Sequence, residues 1–203
     1  PVAHLLDCCL ETDNATCIIV TSAERSRNLR QTPINILGAQ GRGTKPGGDF
    51  HVQHGDLGRV AGHYVGPRIF ELAGVKHEDI DVTGCYDAFT YTVLLQLESY
   101  GWCKPGEGKD YVKSGVINLG GKVPNNTSGG HLCEAYTHGM NMVIENVRQL
   151  RGTIDDYCPN AANGEHTYDY SEGGCRQIKD AEISMNMGWG TPAVGSALIM
   201  RRG

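Results

Sequence analysis

Residues 79–100 read DIDVTGCYDAFTYTVLLQLESY. Asp79-Ile80-Asp81-Val82 predicts a short strand, and Gly84-Cys85-Tyr86-Asp87 a glycine-containing turn. Ala88 to Tyr100 predicts a helix, because apolar Phe89, Val93, Leu94 and Leu97 recur at three- and four-residue spacings. A strand that turns through glycine into an amphipathic helix is the unit from which layered α/β folds are assembled.

The same alternation extends outward from this unit. Cys17 to Thr21 (CIIVT) predicts a strand entering a helical turn at Ser22-Ala23-Glu24, and Thr32 to Ala39 (TPINILGA) a second strand. Leu57 to Leu72 carries helix-forming stretches in which Pro67 requires a first turn or a kink. Val116 to Leu119 predicts a strand that leads into a loop from Gly120 to Gly130. Gly139 to Arg151 is the cleanest helix: Met140, Val143, Ile144, Val147 and Leu150 form one apolar stripe, with Glu145, Asn146 and Arg148 off it, and Gly152 ends it. Ala181 to Met187 and Ser196 to Met200 predict a hairpin joined through Gly188-Trp189-Gly190 and Pro192. Gly41 to Gly55 and the Tyr-rich Asp155 to Gly174 read as excursions from the core. The fold class expected is α/β.

Composition narrows the partners. The 203 residues are 39% hydrophobic, enough for a buried core, and the net charge of −5 with no Lys/Arg run longer than Arg201-Arg202 excludes a nucleic-acid or anionic-membrane footprint. No stretch approaches the roughly 18 apolar residues that a membrane span needs. Eight cysteines lie scattered without CxxC spacing, which points to free thiols and a reducing, cytoplasmic setting rather than a disulfide scaffold or metal knuckle. The chain opens at Pro1 and runs at once into apolar Val2 to Leu6, so the true N-terminus is expected upstream.

Three glycine-containing loops adjoin predicted strands: Gly84 to Asp87, Asn125 to Gly130 (NNTSGG), and Gly188-Trp189-Gly190. Ligands gather at such strand ends because glycine admits close backbone approach. Asn126, Ser128, Gly129, Gly130, Gly188, Trp189 and Gly190 are therefore candidate substrate-binding residues.

The content of these loops resembles the thiolase superfamily, closest to its sterol-carrier type. That family carries HDCF at a helix start, then NPSGG followed by xxxxGHPxG, then a C-terminal CxGG-type loop. Here the first segment is Tyr86-Asp87-Ala88-Phe89, and the second runs from Asn126-Thr127-Ser128-Gly129-Gly130 through His131 to Tyr136-Thr137-His138-Gly139. The likeness runs from Asp13 to Arg201 and implies the layered αβαβα thiolase fold, with 1–31 ending the N-terminal half and 32–203 forming the C-terminal domain.

The departures carry chemistry. Laid without gaps, the first family histidine becomes Tyr86 and the second becomes Tyr136, while no cysteine follows Cys175, so the C-terminal catalytic cysteine is missing. Thiolysis needs a cysteine base and oxyanion donors. A β-hydroxy acyl-CoA can instead be split by acid/base groups alone, which phenols supply. The motifs YDAF and CEAYxHG resemble the thiolase-like aldolases of bacterial steroid side-chain degradation. That resemblance implies retro-aldol cleavage of a bulky β-hydroxy acyl-CoA to a ketone and a shortened acyl-CoA such as propionyl-CoA, with Tyr86 and Tyr136 as the acid/base pair in either order. His138 would orient one of them or bind the thioester oxygen.

Taken singly, Tyr86 and Tyr136 would be packing residues; at two motif positions together they read as functional. His131 reads as structural and Asp87 as the N-cap of the following helix, while His51, His54 and His63 belong to a loop and helix. The resemblance implies no metal or redox cofactor in this chain, coenzyme A only as part of the substrate, a homodimer of thiolase-like subunits, and a small OB-fold, zinc-ribbon acyl-CoA-associated partner. A β-ketoacyl-CoA thiolase and a non-catalytic lipid- or acyl-CoA-binding subunit remain the rival readings.

Overall fold

The computed structural model describes residues 4–43, 60–134, 136–154, 176–191 and 193–203. Its helices are α1 (Ala23–Ser26), α2 (Gly62–Ala73), α3 (Thr90–Ser99), α4 (Gly108–Lys113), α5 (Gly130–Cys133) and α6 (Met140–Arg151). The strands β1 (Ile34–Gly43), β2 (Val82–Cys85), β3 (Ile183–Thr191) and β4 (Val194–Arg202) form one sheet in the order β1-β4-β3-β2. β4 pairs antiparallel with both β1 and β3, and β2 joins β3 in parallel.

Side chains alternate across a strand, and β4 shows how that separates two layers. Ala197 and Ile199 join Met185 and Met187 of β3 under Val65 and Ile69 of α2 and Leu97 of α3. Leu198 and Met200 pack with Leu150, Val143 and Val147 of α6. Ile69, Leu97, Met185 and Ile199 are essentially inaccessible, and each such side chain contributes about 1.5–3 kcal/mol of transfer free energy. Helices thus cover both faces of a mixed sheet, the α/β class expected.

β2 lies at the edge of this sheet, yet all four of its residues are buried. The segment Pro124 to Asn126 covers the open edge: the Thr83 amide donates to the Pro124 carbonyl and the Asn126 amide to the Thr83 carbonyl, at 2.9 and 3.0 Å. Edge groups left unpaired in the interior would be costly, so this loop satisfies them as a further strand would.

Several sequence expectations need correction. The Cys17 to Thr21 run is not a strand and leaves Ile19 and Val20 exposed, because no described strand pairs with it. Ser22 does cap the following turn, its hydroxyl accepting from the Arg25 amide. Val116 to Leu119 is a run of turns, bounded by Gly115 and Gly120, whose positive φ bends the chain at both ends. The strand read at Asp79 to Val82 begins only at Val82, since His77–Asp79 is a 3-10 turn in which Asp79 accepts from the Lys76 amide. Gly188-Trp189-Gly190 is not the connection between strands but part of β3, with Gly188 opposite Ser196.

Of two helix readings, that of Pro67 is narrowed to the alternative of an interior kink position, and that of α6 changes. Pro67 sits at the sixth position of α2, beyond the first turn, and cannot donate to the His63 carbonyl. On α6 Leu150 of the expected stripe is fully buried, but Met140 is exposed, and Glu145 and Asn146, expected off the stripe, are inaccessible together with Gln149. They are tolerated because each is bonded. Asn146 donates to Asn186, Gln149 donates to the Arg176 carbonyl, and Glu145 accepts from Thr127 and the Arg176 guanidinium. The excursion at 155–174 and most of that at 41–55, with His51 and His54, lie outside the described residues.

Candidate active site

Tyr86 follows β2 directly, and its amide donates to the Met187 carbonyl of β3 at 3.0 Å, which continues the parallel pairing by one residue. From α3, Gln96 grips that peptide on both sides: its side-chain amide donates to the Tyr86 carbonyl at 2.7 Å and its oxygen accepts the Tyr86 amide at 3.3 Å. Thr92 adds a hydroxyl to the same carbonyl at 3.0 Å. Thr92 and Gln96 are buried on α3, whereas Phe89, expected on its apolar stripe, is exposed at the helix start.

The second loop is pinned to the end of the same strand. Asn126, in left-handed backbone with φ 49, donates to the Cys85 carbonyl and accepts the Cys85 amide through its side chain. Its amide group is thus committed to holding the loop. Ser128 has a buried hydroxyl without a hydrogen-bond partner among the described residues. Gly129 and Gly130 both adopt positive φ as α5 begins. After α5 the chain returns through Tyr136 and through His138, also left-handed with φ 49, into α6.

These two loops bring the phenols together. The Tyr86 and Tyr136 hydroxyls are hydrogen-bonded to each other, and His138 Nδ1 lies 3.1 Å from the Tyr136 hydroxyl and 3.3 Å from that of Tyr86. Trp189 reaches the same cluster from β3, beside Ala88, Met142 and Cys9. Gly188 and Gly190 are strand residues, and a Cβ at Gly188 would lie 2.2 Å from the Ser196 hydroxyl, so that glycine serves strand packing.

Residues 43–174 match the model of the thiolase C-terminal domain-like family. The chain belongs to that family. It is 45% identical over 153 residues to 17-hydroxy-3-oxo-4-pregnene-20-carboxyl-CoA lyase of Mycobacterium tuberculosis, covering 74% of this chain and 39% of that protein. A steroid side-chain-cleaving aldolase of Thermomonospora curvata is 42% identical over 156 residues, again 74% of this chain and 39% of the relative. Among solved structures, the Ltp2-ChsH2(DUF35) aldolase superposes with a TM-score of 0.78 at 33% identity, covering 98% of this chain and 47% of that one. The chain therefore spans about two fifths of the length of these two curated relatives.

In this thiolase C-terminal-like chain the electrostatics separate the groups around the phenols. Burial, followed by the bond to Tyr136, raises the Tyr86 pKa well above the ordinary phenol value, so Tyr86 is held in its protonated form. Cys9 packs in the cluster, but burial and the charge of Asp87 raise its thiol pKa, the opposite of what a thiolate nucleophile needs. Among the described residues no group of three His, Cys, Asp or Glu is placed to hold a metal, and no helix is long and apolar enough to cross a membrane.

Sequence reasoning missed the groups behind the phenols. Asp87 is not a helix cap: α3 has no side-chain cap, and the buried Asp87 carboxylate instead accepts from the His131 amide and the His131 ring, both at 2.8 Å. Thr12, in the N-terminal segment, accepts the Tyr136 amide at 2.8 Å. The same segment docks on the first loop, with the Cys9 amide donating to the Ala88 carbonyl and Thr90 donating to Asp7. An Asp directly after Tyr86 and a His directly after Gly130 were the available signals, but nothing in their spacing shows that they meet.

Proposed function

We propose that this chain carries the acid/base half of an aldolase that splits a bulky, steroid-type β-hydroxy acyl-CoA into a ketone and a shortened acyl-CoA such as propionyl-CoA. The observation that carries this reading is the hydrogen-bonded triad of Tyr86, Tyr136 and His138. The similarity to two proteins named for steroid side-chain or steroid carboxyl-CoA cleavage supports the substrate class.

The roles are assigned from distance and burial. Tyr86, held protonated, is assigned as donor to the Tyr136 oxygen, and Tyr136, whose hydroxyl lies nearer to His138 Nδ1, as donor to that nitrogen. Tyr136 takes the β-hydroxyl proton as it passes its own to His138. The β-carbon becomes the ketone carbon, the Cα–Cβ bond breaks, and its electron pair enters the thioester enolate. Tyr86 then protonates the enolate carbon and recovers a proton from His138 through Tyr136. Tyr86, Tyr136 and His138 each regain their starting protonation state, one proton has moved net from the β-oxygen to the enolate carbon, and no co-reactant is consumed. Asn126, Ser128, Gly129, Gly130, Gly188, Trp189 and Gly190 frame the reacting centre in this reading.

By the same resemblance, residues 1–31 end an N-terminal thiolase-like half and 32–203 form the C-terminal domain. By that resemblance the working assembly is a homodimer joined by a small OB-fold, zinc-ribbon partner, a reading supported by the DUF35 component in the name of the similar solved aldolase. Light scattering of the co-expressed proteins tests the assembly, and a monomeric, partner-free species sinks it. The activity is tested by incubating the full-length complex with a steroid β-hydroxy acyl-CoA and following ketone and acyl-CoA by mass spectrometry. Release of both products supports the aldolase. CoA-dependent cleavage of a β-keto thioester alone establishes the thiolase instead, and binding without turnover establishes a carrier.

A further inference from the structure

We infer that Asp87 and His131 form a positioning pair that fixes the separation of the Tyr86 and Tyr136 phenols. The inference rests on the retro-aldol reading of those phenols for its kinetic consequences, but not for its geometry. His131 is 1% exposed and lies between the two tyrosines, its ring centroid 4.7 Å from that of Tyr86 and 4.6 Å from that of Tyr136. One of its ring nitrogens, Nε2, accepts the Gly139 amide at 2.8 Å. That bond fixes the tautomer: the proton resides on Nδ1 and is donated to the Asp87 carboxylate.

The pair therefore joins three chain segments at their functional ends. Asp87 is the residue after Tyr86, His131 lies in α5, and Gly139 opens α6 directly after His138. The space for it is built in. A Cβ at Gly130 would lie 2.0 Å from Asp87 Oδ2, which closes that position to a side chain, and Gly139 takes a positive φ of 87 that disfavours any other residue as the chain enters α6. Neither Asp87 nor His131 bonds to a phenol hydroxyl among the described residues, and both are inaccessible. They act through the loops they tie, as positioning residues.

The test is made in the full-length complex with His131→Gln, which retains an acceptor for the Gly139 amide but loses the ring and the bond to Asp87, and with Asp87→Asn, which keeps an oxygen for the His131 amide. His131→Gln is expected to lower kcat by about 10²-fold, the effect of misplacing reacting groups by about 1 Å, with KM changed by less than about threefold. Asp87→Asn should lower kcat less, because its amide can still hold the loop. An unchanged kcat in a folded His131→Gln protein overturns the inference. Loss of the folded state in both variants assigns the pair to the fold and equally overturns it; if only His131→Gln unfolds, an unchanged kcat in Asp87→Asn does so. A second readout needs no turnover: carbon NMR of the tyrosine Cζ positions, assigned with Tyr86→Phe and Tyr136→Phe. Both resonances should shift in His131→Gln, and a shift in neither sinks the inference even if the wild-type complex proves not to be an aldolase.

Discussion

At the level of single residues, the site depends on two hydroxyls and the backbone that presents them. Tyr86→Phe and Tyr136→Phe should each lower retro-aldol turnover by about 10² to 10⁴ while leaving circular dichroism unchanged, and full activity in both folded variants would refute the acid/base roles. The raised pKa of Tyr86 also has a stability consequence whose sign is fixed. Below the ordinary phenol value of 10.0 the residue is protonated whether folded or unfolded; above it the unfolded chain loses this proton while the folded chain keeps it, so stability falls as pH rises. Urea unfolding between about pH 9 and 11 should therefore show a shallower decline in Tyr86→Phe than in wild type. Gly130→Ala should destabilise by at least about 1–2 kcal/mol from its left-handed backbone alone, before the clash with Asp87 is added; an unchanged melting temperature would contradict that.

Among the elements, the N-terminal segment serves as a clasp over both tyrosine loops. Thr12→Val removes the acceptor of the Tyr136 amide, a loss of about 1 kcal/mol or roughly fivefold in the competent loop population. Turnover should fall by about that factor without loss of secondary structure, and an unaltered rate would show that Tyr136 is held by other means. The elements also show what the sequence could reveal. The α3 and α6 helices and the β3–β4 hairpin were legible because period and glycine punctuation are local properties, and the two motifs singled out Tyr86 and Tyr136, whose hydroxyls the structure brings together. The polar faces of α3 and α6 were not, because Gln96, Glu145 and Gln149 are buried only by virtue of partners 10 to 31 residues away. Val116 to Leu119 misled for the converse reason: its composition favours a strand, but the flanking glycines turn the chain.

Across the whole molecule, the buried polar network on α6 links the sheet to the segment that re-enters at Arg176. Arg176→Met would leave the Glu145 carboxylate, 3% exposed, with only the Thr127 hydroxyl and the Gln149 amide among the described residues. Breaking such a pair should cost about 3 kcal/mol, the lower end of the range because Arg176 is partly exposed, and a urea midpoint equal to wild type would rule this out. The Asp87–His131 contact likewise spans 44 residues and three elements, which is why it could not be read from either motif.

The grip of Gln96 on residue 86 touches only main-chain atoms. It holds the peptide without reference to the side chain it presents, so position 86 works as a socket. A lineage could exchange imidazole for phenol there without rebuilding the loop, and Tyr86→His should fold with the same clasp and the same neighbours. In such a scaffold, inheritance preserves the place where chemistry happens while leaving the chemistry itself open to revision.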